Sequence, residues 1–150
     1  MRALYAGARR LLRNAADAED LVQETYLRAF RAFHLFKPGT NIRAWLFTIL
    51  YRVRADHFRK LARSPRTVEL VDEGPAVAPS QERLAGGQEP VLRALDRLSE
   101  PFRSAVVLRD MQDLTYDEIA GVLQIPMGTV MSRIHRGRSL LRGMLEGARA

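Results

Sequence analysis

At 150 residues the chain has room for one domain or two small ones, and 47% hydrophobic content is enough to give each a packed core. The absence of cysteine excludes disulfides and thiolate metal sites and fits a cytoplasmic protein, while no apolar run is long enough to span a bilayer and no signal-peptide core is present. The net charge of +7 is segregated: residues 1–63 carry 13 Lys/Arg against 5 Asp/Glu, residues 64–90 carry 2 against 5, and residues 91–150 carry 9 against 7. Two basic stretches around an acidic connector suit a polyanion gripped at two points, which solubility alone would not require. His34, His57 and His135 are too scattered for a metal site. With no phosphate-cradling glycine loop and no nucleophile–base pair, neither a metal, a cofactor nor an enzymatic role is expected.

Taken in chain order, residues 2–13 read as a helix with Leu4, Ala8, Leu11 and Leu12 on one side. Asp17 is the expected cap of a second helix, whose first turns carry Glu19, Asp20 and Glu24 at its positive end. Val22, Tyr26, Ala29, Phe30 and Phe33 form its predicted buried stripe; Asp20, Gln23, Glu24 and Arg28 form a mixed-charge outer face suited to docking a protein. The Lys37-Pro-Gly-Thr-Asn41 segment is a turn, and Asn41 caps a third helix running to about Leu61. Its inner face is predicted to be Ile42, Leu46, Ile49 and Val53. Its polar side interleaves cations (Arg43, Arg52, Arg54, His57, Arg59, Lys60) with aromatics (Trp45, Phe47, Tyr51, Phe58). Rings can hold unstacked bases while cations track phosphates, although Trp45 and Phe47 equally suit a core.

From 64 to 88 the periodicity dissolves into Pro, Gly, Ala and acidic residues, predicting a flexible linker between domains at 1–63 and 89–150. Val91 to Leu98 then reads as a short helix, followed after Ser99-Glu-Pro101 by another that ends before Asp113. Thr115-Tyr-Asp-Glu118 is a capping box, Pro126 stops the helix it opens, Gly128 is expected to supply the turn and Thr129 to cap the last helix. Val130, Ile134, Leu141 and Leu145 make that helix's buried stripe, leaving Thr129, Ser132, Arg133 and Arg136 outward. Two helices joined this way form a helix-turn-helix whose second helix enters the DNA major groove. Hydroxyls and guanidiniums there grip phosphates and read guanine edges. No strand-like alternation occurs, so the predicted fold is all-α: a three-helix bundle and a four-helix domain joined by the linker.

Two sets of motifs resemble one family. Asp17-Ala-Glu-Asp-Leu-Val-Gln-Glu-Thr25 and Asn41-Ile-Arg-Ala-Trp-Leu-Phe47, with Asp56 downstream, resemble the second region of bacterial extracytoplasmic-function (ECF) sigma factors of the sigma-70 class. Phe102-Arg103, Leu108-Arg109-Asp110, Leu114-Thr-Tyr-Asp-Glu-Ile-Ala120 and Gly128-Thr-Val-Met-Ser-Arg-Ile-His-Arg-Gly-Arg138 resemble the fourth. Where many relatives have Asn this chain has Arg52, and Gln124 replaces a frequent Gly near the turn.

The resemblance implies a dissociable subunit of core RNA polymerase that confers promoter specificity, assists strand opening and is held in check by an anti-sigma factor. Asp20, Gln23, Glu24 and Arg28 would then dock on the clamp helices of the β′ subunit, and Phe102 and Val106 would face the β flap. Asn41, Arg43, Trp45, Tyr51, Arg52, Arg54, His57, Arg59 and Lys60 would read and melt the −10 element. Thr115, Tyr116, Thr129, Ser132, Arg133, Arg136 and Arg138 would meet the −35 element. Two other readings stand beside this one: a sigma-like decoy that sequesters an anti-sigma factor, and a simple helix-turn-helix regulator.

Overall fold

The computed structural model describes residues 2–11, 15–63 and 89–149, and every regular element among them is helical. The chain divides into two compact units between Ser80 and Gln81. The expected linker at 64–88 and the predicted end of the first helix at residues 12 and 13 lie outside the described residues.

The first unit is a bundle of α1 (Arg2–Leu11), α2 (Ala15–Ala32) and α3 (Ile42–Arg63), with a 3₁₀ turn at Phe33–Leu35 ending α2. α2 packs on both neighbours. Its buried stripe is Ala18, Leu21, Val22, Thr25 and Ala29, the i, i+3, i+4, i+7 and i+11 pattern of one helix face. Thr25 belongs to it because its hydroxyl donates to the Leu21 carbonyl at 2.6 Å, so no polar group is left unsatisfied. The predicted stripe was therefore rotated: Phe30 is 86% exposed, and Phe33 is also outside the core. Asp17 lies inside the first turn of α2, not at its cap.

α3 departs from its predicted face in the same way. Its core side is Phe47, Leu50 and Val53, while Ile42 is exposed and Leu46 and Ile49 are half-buried. Apolar residues cover so much of this helix that two stripes compete, and the one carrying the large Phe47 ring wins burial. Asn41 does cap the helix, its Oδ1 accepting from the Arg43 N–H at 3.0 Å.

A carboxylate ties α2 to α3. Asp56 accepts from Arg28 Nη1 at 2.8 Å through one oxygen and from Arg59 Nη2 at 3.0 Å through the other, and Glu24 accepts from Arg28 Nε at 3.2 Å. The hydrogen bond from Arg28, above all, holds the Asp56 carboxyl below its ordinary value near 3.8, with the charges of Arg28, Arg59 and Lys60 adding to it. A depressed carboxyl stabilises the fold above its unfolded value, and that contribution is lost as pH falls through the folded one. The melting temperature of this first unit, read from Trp45 fluorescence, should therefore be lower in Asp56→Asn than in the native chain at pH 7, and the gap should close on acidification through pH 4 and below. A gap that stayed constant with pH would show that the carboxylate charge is irrelevant there.

The second unit comprises α4 (Glu89–Arg97), α5 (Glu100–Val106) continued by a π-helical turn at Val107–Met111, α6 (Tyr116–Leu123) and α7 (Met127–Arg149). α7 is the central element, packed by α4, α5 and α6. Leu92, Ala94, Leu95 and Leu98 meet Ala105, Val106, Val107 and Leu108, Ile119, Val122, Val130, Ile134 and Leu141 in the core. Arg103 is only 4% exposed; it is stabilised by donating from Nη1 to the Leu98 carbonyl at 3.0 Å, one of the orphan acceptors after α4.

The capping box forms as predicted: the Glu118 N–H donates to Thr115 Oγ1 at 3.1 Å, and the Thr115 N–H donates to Glu118 Oε1 at 2.9 Å. The turn that follows is built differently from the prediction. Gln124, not Gly128, takes the left-handed conformation (φ 55°, ψ 48°) that ends α6. α7 already begins at Met127, with the Val130 N–H donating to the Pro126 carbonyl at 3.1 Å, so Gly128 and Thr129 are helical and Thr129 is not the cap. The glycine that matters for packing is Gly137. A Cβ there would lie 2.7 Å from Val106 Cγ2 and 3.4 Å from both Cβ and O of Phe102, so only glycine lets α5 approach α7 this closely.

Candidate nucleic-acid interface

In the second unit the site is the outer surface of α7 and the start of α6. Ser132 and Arg136 are exposed, and Thr129 and Arg133 are half-buried on the flank. Because Gly137 sits against α5, the arginines on either side of it reach that helix and its continuation. Arg136 Cζ lies 5.6 Å from the centroid of the Phe102 ring, a cation–π contact. Arg138 makes a two-pronged pair with Asp110 of the π turn, 28 residues away, its Nε at 3.0 Å from Oδ2 and its Nη2 on Oδ1. That hydrogen bond is the main reason the Arg138 pKa is raised, with a smaller contribution from Tyr116. Arg109, beside Asp110, lies over the Tyr116 ring at 4.9 Å and donates to the Leu114 carbonyl at 2.9 Å. The extra residue of the π turn thus aims Arg109 and Asp110 at the helix-turn-helix, holding Tyr116 and Arg138 in place. Thr115 is exposed at the cap.

In the first unit, Trp45 is half-buried between Phe33 and Phe36, with ring centroids 6.4 and 5.2 Å away. This aromatic cluster closes the turn between α2 and α3. Along α3, Arg54 lies over both the Tyr51 ring (5.9 Å) and the Phe58 ring (5.3 Å), with His57 edge-on to Phe58 at 6.3 Å. Arg43, Arg52, His57, Arg59 and Lys60 are exposed, while Asn41, Tyr51 and Arg54 are half-buried. Phe47, grouped with the base-holding aromatics on sequence grounds, is 1% exposed and belongs to the core. The rings of Tyr51 and Phe58 with Arg54 and His57 form one cation–aromatic cluster on α3, and Arg43, Arg52, Arg59 and Lys60 add exposed positive charge to the same helix.

On the mixed-charge face, Asp20 and Gln23 are exposed, while Glu24 and Arg28 are half-buried and paired with each other, Arg28 also pairing with Asp56. Phe102 is half-buried under Arg136. Val106, expected to face a protein partner, is 3% exposed and packs against Gly137, which removes it from any docking surface. Asp56, Asp110 and Gly137 were visible in the sequence motifs without a role. Each has a partner 28 residues or more away on another element, and no periodicity reports that.

Two family models match the chain in order: Sigma-70 region 2 over residues 1–64 and Sigma-70, region 4 over residues 88–141. The ECF RNA polymerase sigma factor EcfG of Rhodopseudomonas palustris is 36% identical over 95% of this chain and 78% of its own length. The chain belongs to the ECF sigma factors of the sigma-70 family. The ECF RNA polymerase sigma factor SigE of Mycolicibacterium smegmatis is 41% identical over 95% of this chain, which spans 57% of that relative's length. The sigma factor RpoE of Bartonella quintana, solved in complex with the anti-sigma factor NepR, aligns with a TM-score of 0.79 at 33% identity, covering 97% of this chain and 91% of that one. The three-helix unit is thus a region 2 and the helix-turn-helix unit a region 4. Among the described residues no helix is long and apolar enough to cross a membrane.

Proposed function

We propose that this ECF sigma factor directs core RNA polymerase to a set of promoters by binding their −35 and −10 elements, helps to open the DNA, and is regulated by an anti-sigma factor. The observation that carries the reading is the pairing, in family order, of a basic aromatic surface on α3 with an outward polar and basic surface on α7. Ser132, Arg133, Arg136, Thr129 and the Thr115–Tyr116 helix start meet the −35 major groove. Trp45, Tyr51, Arg54 and the exposed cations of α3 with Asn41 hold the −10 strand. Asp20, Gln23, Glu24 and Arg28 dock on the β′ clamp helices, and the Phe102 edge faces the β flap.

Opening a duplex costs about a few kcal/mol per unstacked step, more than one small basic surface returns. Sigma, polymerase and both promoter elements therefore have to act together. The chain works by binding, in the bacterial cytoplasm, and leaves bond formation to the polymerase. A regulator using the helix-turn-helix alone would have no use for a region 2.

Run-off transcription from fragmented genomic DNA with core polymerase tests the assignment. The chain should yield promoter-specific transcripts, and Arg133→Ala combined with Arg136→Ala should cut them at least tenfold, since a good base contact is worth about 1–3 kcal/mol. No stimulation by the native chain, together with retained capture of an anti-sigma factor, would identify a decoy instead.

A further inference from the structure

We propose that Met131, with Met127 one turn before it, selects thymine in the −35 element by apolar contact with the C5-methyl group. The inference rests on the sigma reading above and names a base that the reading leaves open. The other large apolar residues in the first half of α7 are core: Val130 is fully buried and Ile134 is 2% exposed. Met127 and Met131 are 44% and 50% exposed, so packing does not account for their apolar character. Spaced at i and i+4, they share one face near the start of the helix that enters the groove, where side chains meet base edges. Ser132 and His135 are exposed beside them, and Gly128 presents no side chain to hold the helix away.

Two of the arginines that would otherwise dominate readout are partly committed elsewhere, and a third is partly covered. Arg136 rests on Phe102, Arg138 on Asp110, and Arg133 is half-buried. In the major groove only thymine offers a methyl group, and a polarisable, unbranched thioether adapts to it. A protein partner is the poorer occupant. Helix-in-groove docking needs anchors running over i, i+3, i+4 and i+7, whereas this strip has two and is bordered by serine, histidine and arginine.

The test selects random-sequence duplexes with the chain assembled on core polymerase, once with thymidine and once with deoxyuridine throughout. The native chain should enrich thymine at one or two adjacent −35 positions, about fourfold for each methyl contacted. Deoxyuridine should abolish that preference, and so should Met127→Gln combined with Met131→Gln, whose exposed positions tolerate the change; enrichment at other positions should survive. A thymine preference that persists with deoxyuridine or in the double variant overturns the assignment and leaves the sigma reading intact, the strip then serving a protein contact. Failure to enrich any sequence removes the sigma reading itself.

Discussion

Gly137→Leu should destabilise the region 4 unit by roughly 1–3 kcal/mol or more, the usual cost of overpacking a closed helix contact. The neighbour that must give way is Val106 Cγ2, 2.7 Å from the position a Cβ would take. Val106 is buried and β-branched, with one favoured rotamer in a helix, so it cannot swing aside. The backbone carbonyl of Phe102, at 3.4 Å, bounds the space from the same side. Even Gly137→Ala should lose, because a helix-propensity gain of about 0.8–1 kcal/mol is smaller than the strain. Gly143→Ala is the control: nothing lies within 4 Å of its Cβ position, and it should gain stability. Far-UV circular dichroism during urea unfolding reads both. Equal effects at positions 137 and 143 would show that α5 and α7 are not in close approach.

Phe47→Ala should cost about 3–5 kcal/mol in the region 2 unit, as deletions of fully buried aromatics do. The chain has a single tryptophan, Trp45, and it lies in this unit, so its fluorescence reports region 2 unfolding separately from region 4. The Phe47 variant should shift the fluorescence transition to lower urea, and Gly137→Leu should leave it in place. Phe30→Ala, removing a ring that is 86% exposed, should move it little. A Phe30 effect as large as that of Phe47 would mean the sequence-based stripe of α2 was right after all. These unfolding curves describe two units, so a single two-state free energy for the whole chain has no meaning.

Much of the architecture was legible because it is written in local chemistry. The capping box at Thr115 and Glu118, the Asn41 cap and the Pro126 stop each act within a few residues, and each forms. Faces were harder to read than helices. α2 and α3 carry apolar residues on more than one side, and the choice between stripes is made by what packs against them. Thr25 entered the core because a hydroxyl can satisfy itself on its own helix, and Phe30 was left outside because its side of α2 has no neighbour. The turn before α7 misled for a different reason. Residue type points to Gly128 as the position needing backbone freedom, whereas Gln124 bears the left-handed conformation and Gly137 bears the steric demand. Of the interface, the exposed cations followed from composition. Which of them are already engaged did not, because Arg28–Asp56 and Arg138–Asp110 each join partners 28 residues apart.

On the proposed function, the Arg138–Asp110 pair sets how firmly the final helix would hold DNA. Five arginines against one glutamate between residues 129 and 150 advertise a strong polyanion grip. Arg138, however, arrives with its countercharge already supplied by Asp110, so it has no call to displace sodium or potassium ions condensed on a phosphate. The entropy released if the helix settled in the groove would be smaller by that one ion's share. A weaker indiscriminate hold leaves the factor freer to let go of the wrong sequence.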